Sequence, residues 1–90
     1  MGLTRSAALE WAGRGVRVNA LVTGNVDTPL YRQLLGAPPE RPADELLAPN
    51  PTGRVADPGE VAGLVAYLLS GEAAFLTGAA LAIDGGATAQ

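Results

Sequence analysis

The densest run of hydrogen-bonding side chains is Thr23-Gly24-Asn25-Val26-Asp27-Thr28, where two hydroxyls, an amide and a carboxylate gather around one glycine. A threonine hydroxyl both donates and accepts, and glycine permits backbone conformations and close approaches barred to other residues. The set suits a turn that binds a polar ligand. Just upstream, Val16, Val18, Ala20 and Val22 alternate with Arg17, Asn19 and Leu21. The apolar weighting of both sets predicts a strand from Arg17 to Val22 covered on both faces of a parallel sheet. The polar turn then falls at the strand's carboxyl end, where open α/β sheets hold their ligands.

Other chemistry-bearing residues read more plainly as structure. The Thr23-Gly24-Asn25 triplet lacks the second and third glycines of a phosphate-binding fingerprint. Asp27 and Thr28, ahead of Pro29, also read as a turn or a helix cap. Asp84, alone before two glycines, is a turn residue, and Asn19 is a backbone-bonding residue of the sheet. Asp44 and Glu45 form a solvated pair. Cysteine and histidine are both absent, which removes thiolate and imidazole chemistry and leaves no metal-ligating set. All six basic residues are arginine, so no lysine ammonium with a tunable pKa is available, and no catalytic residue is assigned.

The elements that must position the turn can be read in order. Leu3, Ala7 and Trp11 recur at i, i+4 and i+8 with Ala8 and Ala12 beside them and Arg5 and Glu10 free to face solvent, predicting an amphipathic helix from Leu3 to about Ala12 that closes at Gly13 or Gly15. Leu30 to Leu35 predicts a short helix with Pro29 at its first position. Residues 36–53 hold Pro38, Pro39, Pro42, Pro49 and Pro51, which excludes a long regular element there. That segment is either a flap covering a substrate or a solvated connection. Asp57, Pro58 and Glu60 mark a capped helix start. Val61, Leu64, Val65, Leu68 and Leu69 then continue one apolar face, with Gly71 as the expected stop. Ala79 to Ile83 predicts a second strand, followed by a turn at Asp84-Gly85-Gly86 and a small polar tail. Two strands with a helix between them would form a right-handed βαβ crossover. Two strands do not complete a sheet, so strand neighbours are expected from outside these residues.

Ninety residues suit one small domain that buries only about 60 to 65% of its unfolded surface. A hydrophobic fraction of 48% and a net charge of −3, with the six arginines scattered, fit a globular chain and no nucleic-acid partner. No apolar run reaches the roughly 18 residues that span a bilayer, so no membrane association is expected, and the lack of cysteine predicts a cytoplasmic location.

Three motifs in order carry a family resemblance: RVNALVTGNVDTP, the capped run DPGEVA, and LTGAALAIDGG. Over Leu3 to Gly86, the variable segment 36–53 apart, the chain resembles the C-terminal portion of a short-chain dehydrogenase/reductase. The resemblance implies an α/β fold: the C-terminal part of a doubly wound Rossmann-type parallel sheet, represented by two strands with flanking helices. Residues 1–90 would then be a partial dinucleotide-binding domain, with 36–53 as its variable substrate loop. The family's glycine-rich phosphate loop has no counterpart here. Its catalytic Tyr-x-x-x-Lys would fall upstream of Met1, and neither Tyr31 nor Tyr67 is followed by such a lysine.

The resemblance further implies the nicotinamide side of an NAD or NADP site. Gly24 would allow the cofactor to approach, the Val26 backbone would meet the carboxamide, and Thr28 would hydrogen-bond the carboxamide or a nearby phosphate. Thr23 departs from the family, which usually has proline before that glycine. The function expected is that of a piece of an NAD(P)-dependent oxidoreductase interconverting a carbonyl and an alcohol, inactive alone and produced by a truncated reading frame or an internal start. The implied partners are a small carbonyl or alcohol substrate and further copies, joined through the C-terminal strand and helix. The alternatives are a non-catalytic module pairing with a full-length relative through the edge at Leu81 and Ile83, and an independent small binding protein.

Overall fold

The computed structural model describes residues 2–90. Helix α1 (Gly2–Trp11) runs into a single 3-10 turn over Ala12–Arg14. Gly15, at φ 77°, closes that turn by donating its N–H to the Ala12 carbonyl, so Gly15 rather than Gly13 is the stop. The apolar face expected inside is covered only in its middle. Leu3 and Trp11 are exposed, and Ala8 is the buried residue of the helix. Its place is set by Gly78, where a Cβ would stand 3.4 Å from the Ala8 methyl.

Strands β1 (Ala20–Thr23) and β2 (Ala80–Ile83) pair in parallel as a two-stranded sheet, with Ala20 opposite Ala80 and Thr23 opposite Ile83. The first strand starts three residues later than its alternation predicts. Asn19 accounts for the difference, because its side-chain amide takes the place of a backbone rung. Its Nδ2 donates to the Leu76 carbonyl at 3.0 Å, while its Oδ1 accepts from the Ala79 N–H at 3.1 Å. The Val18 N–H is likewise held by the Thr77 hydroxyl, and the Arg17 guanidinium donates to the Ser70 and Leu76 carbonyls. The expectation of cover on both faces also fails. Ala20, Leu21 and Val22 remain half-buried.

A long crossover joins the strands, as parallel pairing requires. It holds α2 (Pro29–Leu35), the loop over 36–53 and α3 (Pro58–Leu68). The five prolines leave that loop a single 3-10 turn, Ala43–Glu45, and Asp44 and Glu45 face solvent. The loop is nevertheless anchored, because Leu46 is buried in it and Val55 just beyond it.

Helix α3 starts as its sequence dictates. The Asp57 carboxylate accepts from the Gly59 N–H at 2.9 Å, and the Glu60 carboxylate accepts from the Asp57 N–H at 3.3 Å. Its end differs from expectation. The helix stops at Leu68, and Gly71 has no left-handed conformation but opens a 3-10 turn, Gly71–Ala73. Ser70 makes the stop: its hydroxyl donates to the Tyr67 carbonyl at 2.6 Å and accepts from the Glu72 N–H. Of the apolar row, Leu68 is buried while Leu69 is 80% exposed, so the face is covered on one side only.

After β2, the Asp84 carboxylate gathers the Gly86 and Thr88 N–H groups and the Thr88 hydroxyl, folding the tail into a last turn over Ala87–Ala89. These donors, the Thr88 hydroxyl foremost, hold the Asp84 carboxyl below its ordinary range. It is a turn residue, as its place before Gly85 and Gly86 suggests. The buried apolar set is small: Ala8, Leu46, Val55, Leu68 and Ala73.

Candidate functional site

The site forms where β1 runs out. Gly24 continues the ladder by donating its N–H to the Ile83 carbonyl at 3.1 Å. A Cβ on Gly24 would stand 2.8 Å from the Asp84 Cα, so the two strand ends come together closely enough to require glycine. That packing is a sufficient reason for glycine here, independent of any ligand.

Val26 follows as an isolated parallel bridge to Ala56. The bridge is made by its neighbours, since the Ala56 N–H donates to the Asn25 carbonyl and the Asp27 N–H donates to the Ala56 carbonyl, both at 2.8 Å. This geometry turns the N–H and C=O of Val26 itself away from Ala56, and neither has a hydrogen-bond partner among the described residues. A free donor and acceptor on one residue match the two functions of a primary amide.

Thr28 combines both readings of its sequence position. It caps α2, its Oγ1 accepting the Tyr31 N–H at 3.1 Å, with Pro29 in the first turn. The hydroxyl proton is not used by that cap and remains available to a further acceptor.

Gly24, Val26 and Thr28 lie together on one open hollow of about 580 Å³. Thr23, Tyr31 and Val61 also line it. The floor is β1 and the turn, and the walls are the starts of α2 and α3. Residues widely read as separate motifs, TGNVDTP and DPGEVA, therefore face a common space.

The sequence places Asp27 among the polar groups of the turn, or in a cap, and gives Arg32 no role. The structure joins them. The Arg32 Nε donates to Asp27 Oδ1 at 2.7 Å and its Nη2 donates to Oδ2 at 3.1 Å, a two-pronged contact with both side chains largely covered. The guanidinium holds the Asp27 carboxyl below its usual range, chiefly through those hydrogen bonds, and the carboxylate raises the guanidinium in return. The signal available in the sequence was an acid just outside a Thr-Pro helix start with an arginine one turn inside. Among the described residues no cluster of acidic side chains stands ready to hold a metal, and no helix is long and apolar enough to cross a membrane.

This architecture agrees with known proteins along the whole chain. The family model described as enoyl-(acyl carrier protein) reductase matches residues 1–88. The chain belongs to the short-chain dehydrogenase/reductase family. Among curated relatives, 2-(S)-hydroxypropyl-CoM dehydrogenase 3 of Xanthobacter autotrophicus is 50% identical over 92 residues, covering 99% of this chain and 36% of its own length. A short-chain dehydrogenase family protein from Francisella tularensis superposes with a TM-score of 0.84 at 40% identity, covering 99% of this chain and 40% of its own. ElxO with NADP bound gives a TM-score of 0.81 at 30% identity, covering 99% of this chain and 36% of its own. The chain thus spans about a third of the length of the curated relatives it matches. The expected α/β fold, with two parallel strands and flanking helices from a Rossmann-type sheet, is the fold found.

Proposed function

We propose that these residues form the nicotinamide-facing part of an NAD(P)-dependent oxidoreductase that interconverts a carbonyl and an alcohol. The observation that carries this reading is the unpaired N–H and C=O of Val26, set beside the free hydroxyl proton of Thr28 in one hollow. A carboxamide presents one acceptor and one donor group, and those atoms offer it the complement. The NADP stated for ElxO, and the dehydrogenase name of the Xanthobacter relative, support the same chemical class.

The residues present fit the group. Val26 would fix the carboxamide through its backbone, and Thr28 would donate to the carboxamide or to a phosphate oxygen. Gly24 lines the hollow beside them, and its lack of a Cβ is required by Asp84 on the neighbouring strand end. When bound, the nicotinamide supplies or takes up the hydride. The chain's contribution would be orientation: hydrogen-bonding groups fixed by a strand end and a capped helix would hold the carboxamide without reorganising at each turnover. The tyrosine–lysine pair that the family resemblance implies for proton transfer has no counterpart among these ninety residues, which hold no lysine. The ninety residues therefore bind and orient, and the reaction depends on groups outside them.

Titration of the chain with NADH and NADPH, followed by nucleotide fluorescence, tests the binding. Saturable binding that weakens about tenfold in Thr28→Val supports the reading, one charge-free hydrogen bond to a ligand being worth about 1 kcal/mol or somewhat more. Equal affinity in the variant would refute the role of Thr28. Turnover of alcohols by the ninety residues alone would refute the division of labour.

A second reading concerns partners. Leu3, Leu69 and Phe75 lie exposed, and each strand of the two-stranded sheet keeps one free edge. Exposed edges recruit strands. We infer association with a full-length relative or with further copies through β2 and α3, which size-exclusion of the chain, alone and mixed with such a relative, would detect.

A further inference from the structure

We propose that Arg32 is a positioning residue that ties the loop over 36–47 to the ligand-facing turn, with Asp27 as its fixed point. The inference rests on the reading of that turn as the nicotinamide side of the site. Asp27 stands between Val26 and Thr28, and its backbone N–H makes the rung to Ala56. Its carboxylate is gripped by one edge of the Arg32 guanidinium. The remaining nitrogen, Nη1, donates to the carbonyls of Pro38, Pro39 and Arg41 at 3.3, 3.0 and 2.7 Å.

The chemistry of this loop suits such a hub. Pro38, Pro39 and Pro42 have no N–H to donate, so local pairing in the segment is sparse: the Pro38 carbonyl also accepts the Arg41 N–H, whereas among the described residues those of Pro39 and Arg41 accept from Arg32 alone. A planar guanidinium satisfies a carboxylate on one edge and carbonyls on the other, which a lysine ammonium cannot do with the same geometry. The neighbouring Tyr31 holds the far end of the loop, its hydroxyl donating to the Leu47 carbonyl at 2.6 Å. Helix α2, only seven residues long, is too short to be stable alone and takes its position from these contacts. Turn, α2 and loop consequently move together.

Amide hydrogen exchange on the ninety-residue chain without nucleotide tests this. The reporters in the loop are the N–H groups of Arg41, Glu45 and Leu46, bonded to Pro38, Pro42 and Ala43. Those in the turn are Asp27 and Tyr31, bonded to Ala56 and Thr28. Arg32→Lys keeps the charge and loses the fork; all five amides are expected to exchange about tenfold faster, while Leu81 and Ile83 in β2 change less than about twofold. Asp27→Asn is expected to act on the same loop amides, and the double variant to add little to either single one.

Unchanged loop amides in Arg32→Lys would overturn the proposal. So would equal acceleration through β2, which marks general destabilisation, or a loop response without a turn response. Absence of protection at Arg41 in the parent chain would do the same. If the Arg32 variant does not fold, the Asp27→Asn arm decides alone: loop amides that ignore it refute the link. Since no nucleotide is present, these rates are independent of whether the turn binds NADH, which the Thr28→Val titration measures separately.

Discussion

The stretch from Gly24 to Glu60 and the flank made by α1 with Leu69 to Phe75 satisfy themselves in different ways. In the first, two ion pairs, two capped helices and a bridged turn consume polar groups locally. In the second, Leu3, Leu9, Leu69 and Phe75 face outward, Phe75 completely. Hydrogen-bonding chemistry can be completed by residues close in sequence, whereas apolar burial needs a second surface. The hollow that gathers Gly24, Val26 and Thr28 lies in the first stretch and holds its exceptions, the unpaired N–H and C=O of Val26 among the described residues and the exposed Leu30 and Leu34.

The comparison is broken most forcefully at adjacent residues of α3. Leu68→Ala, at a side chain 9% exposed, is expected to cost about 2–4 kcal/mol by chemical denaturation. Leu69→Ala, one residue on, should change the chain alone by no more than about 0.5 kcal/mol and serves as the control. Next in size is Gly24→Ala, which forces a Cβ to 2.8 Å from the Asp84 backbone and should cost about 1–3 kcal/mol, with faster exchange at the Gly24 amide. Asn19→Ala should cost about 1–3 kcal/mol, because the Ala79 N–H loses its partner and the Leu76 carbonyl keeps only the longer bond from Arg17.

Acidification gives a smaller and more selective effect. The Asp27 and Glu60 carboxyls, each hydrogen-bonded to an arginine, and Asp84, bonded to Thr88, all titrate below their ordinary range in the folded chain. A carboxyl with a depressed folded pKa binds fewer protons folded than unfolded, so its stabilisation is complete above the unfolded value near pH 4 and is lost as pH falls through the folded one. Unfolding midpoints should therefore be flat from about pH 5 to 7 and decline below about pH 4, less steeply in Asp27→Asn. The exposed Arg54 and Glu60 pair should contribute little to that slope, being screened by solvent and salt.

What could be read from the chain follows the same division. The starts of α2 and α3 were legible because caps are local: Thr28 with Pro29, and Asp57 with Pro58 and Glu60, each complete their work within four residues. The convergence of Gly24, Val26 and Thr28 was legible because they share one turn. The start of β1 was not, since Arg17 to Asn19 alternate like a strand while the partner of Asn19 lies 57 to 60 residues away. On α1 the apolar face was legible but the extent of its burial was not: periodicity places Ala8 with Leu3, Ala7 and Trp11, and only Ala8 is buried, its methyl close to Gly78 far along the chain. The Asp27 and Arg32 contact spans five residues across a helix start, outside the i, i+4 spacing that helical patterns reveal.

The most direct test of the site is to map amide chemical shifts of the chain on addition of NADH. The largest changes are expected at Gly24, Val26 and Thr28, with Tyr31 following through the cap and with Arg5 and Glu10 on α1 unmoved. No change at Val26 and Thr28 at millimolar nucleotide, or changes centred on α1 and Phe75, would contradict the assignment of this turn to the nicotinamide.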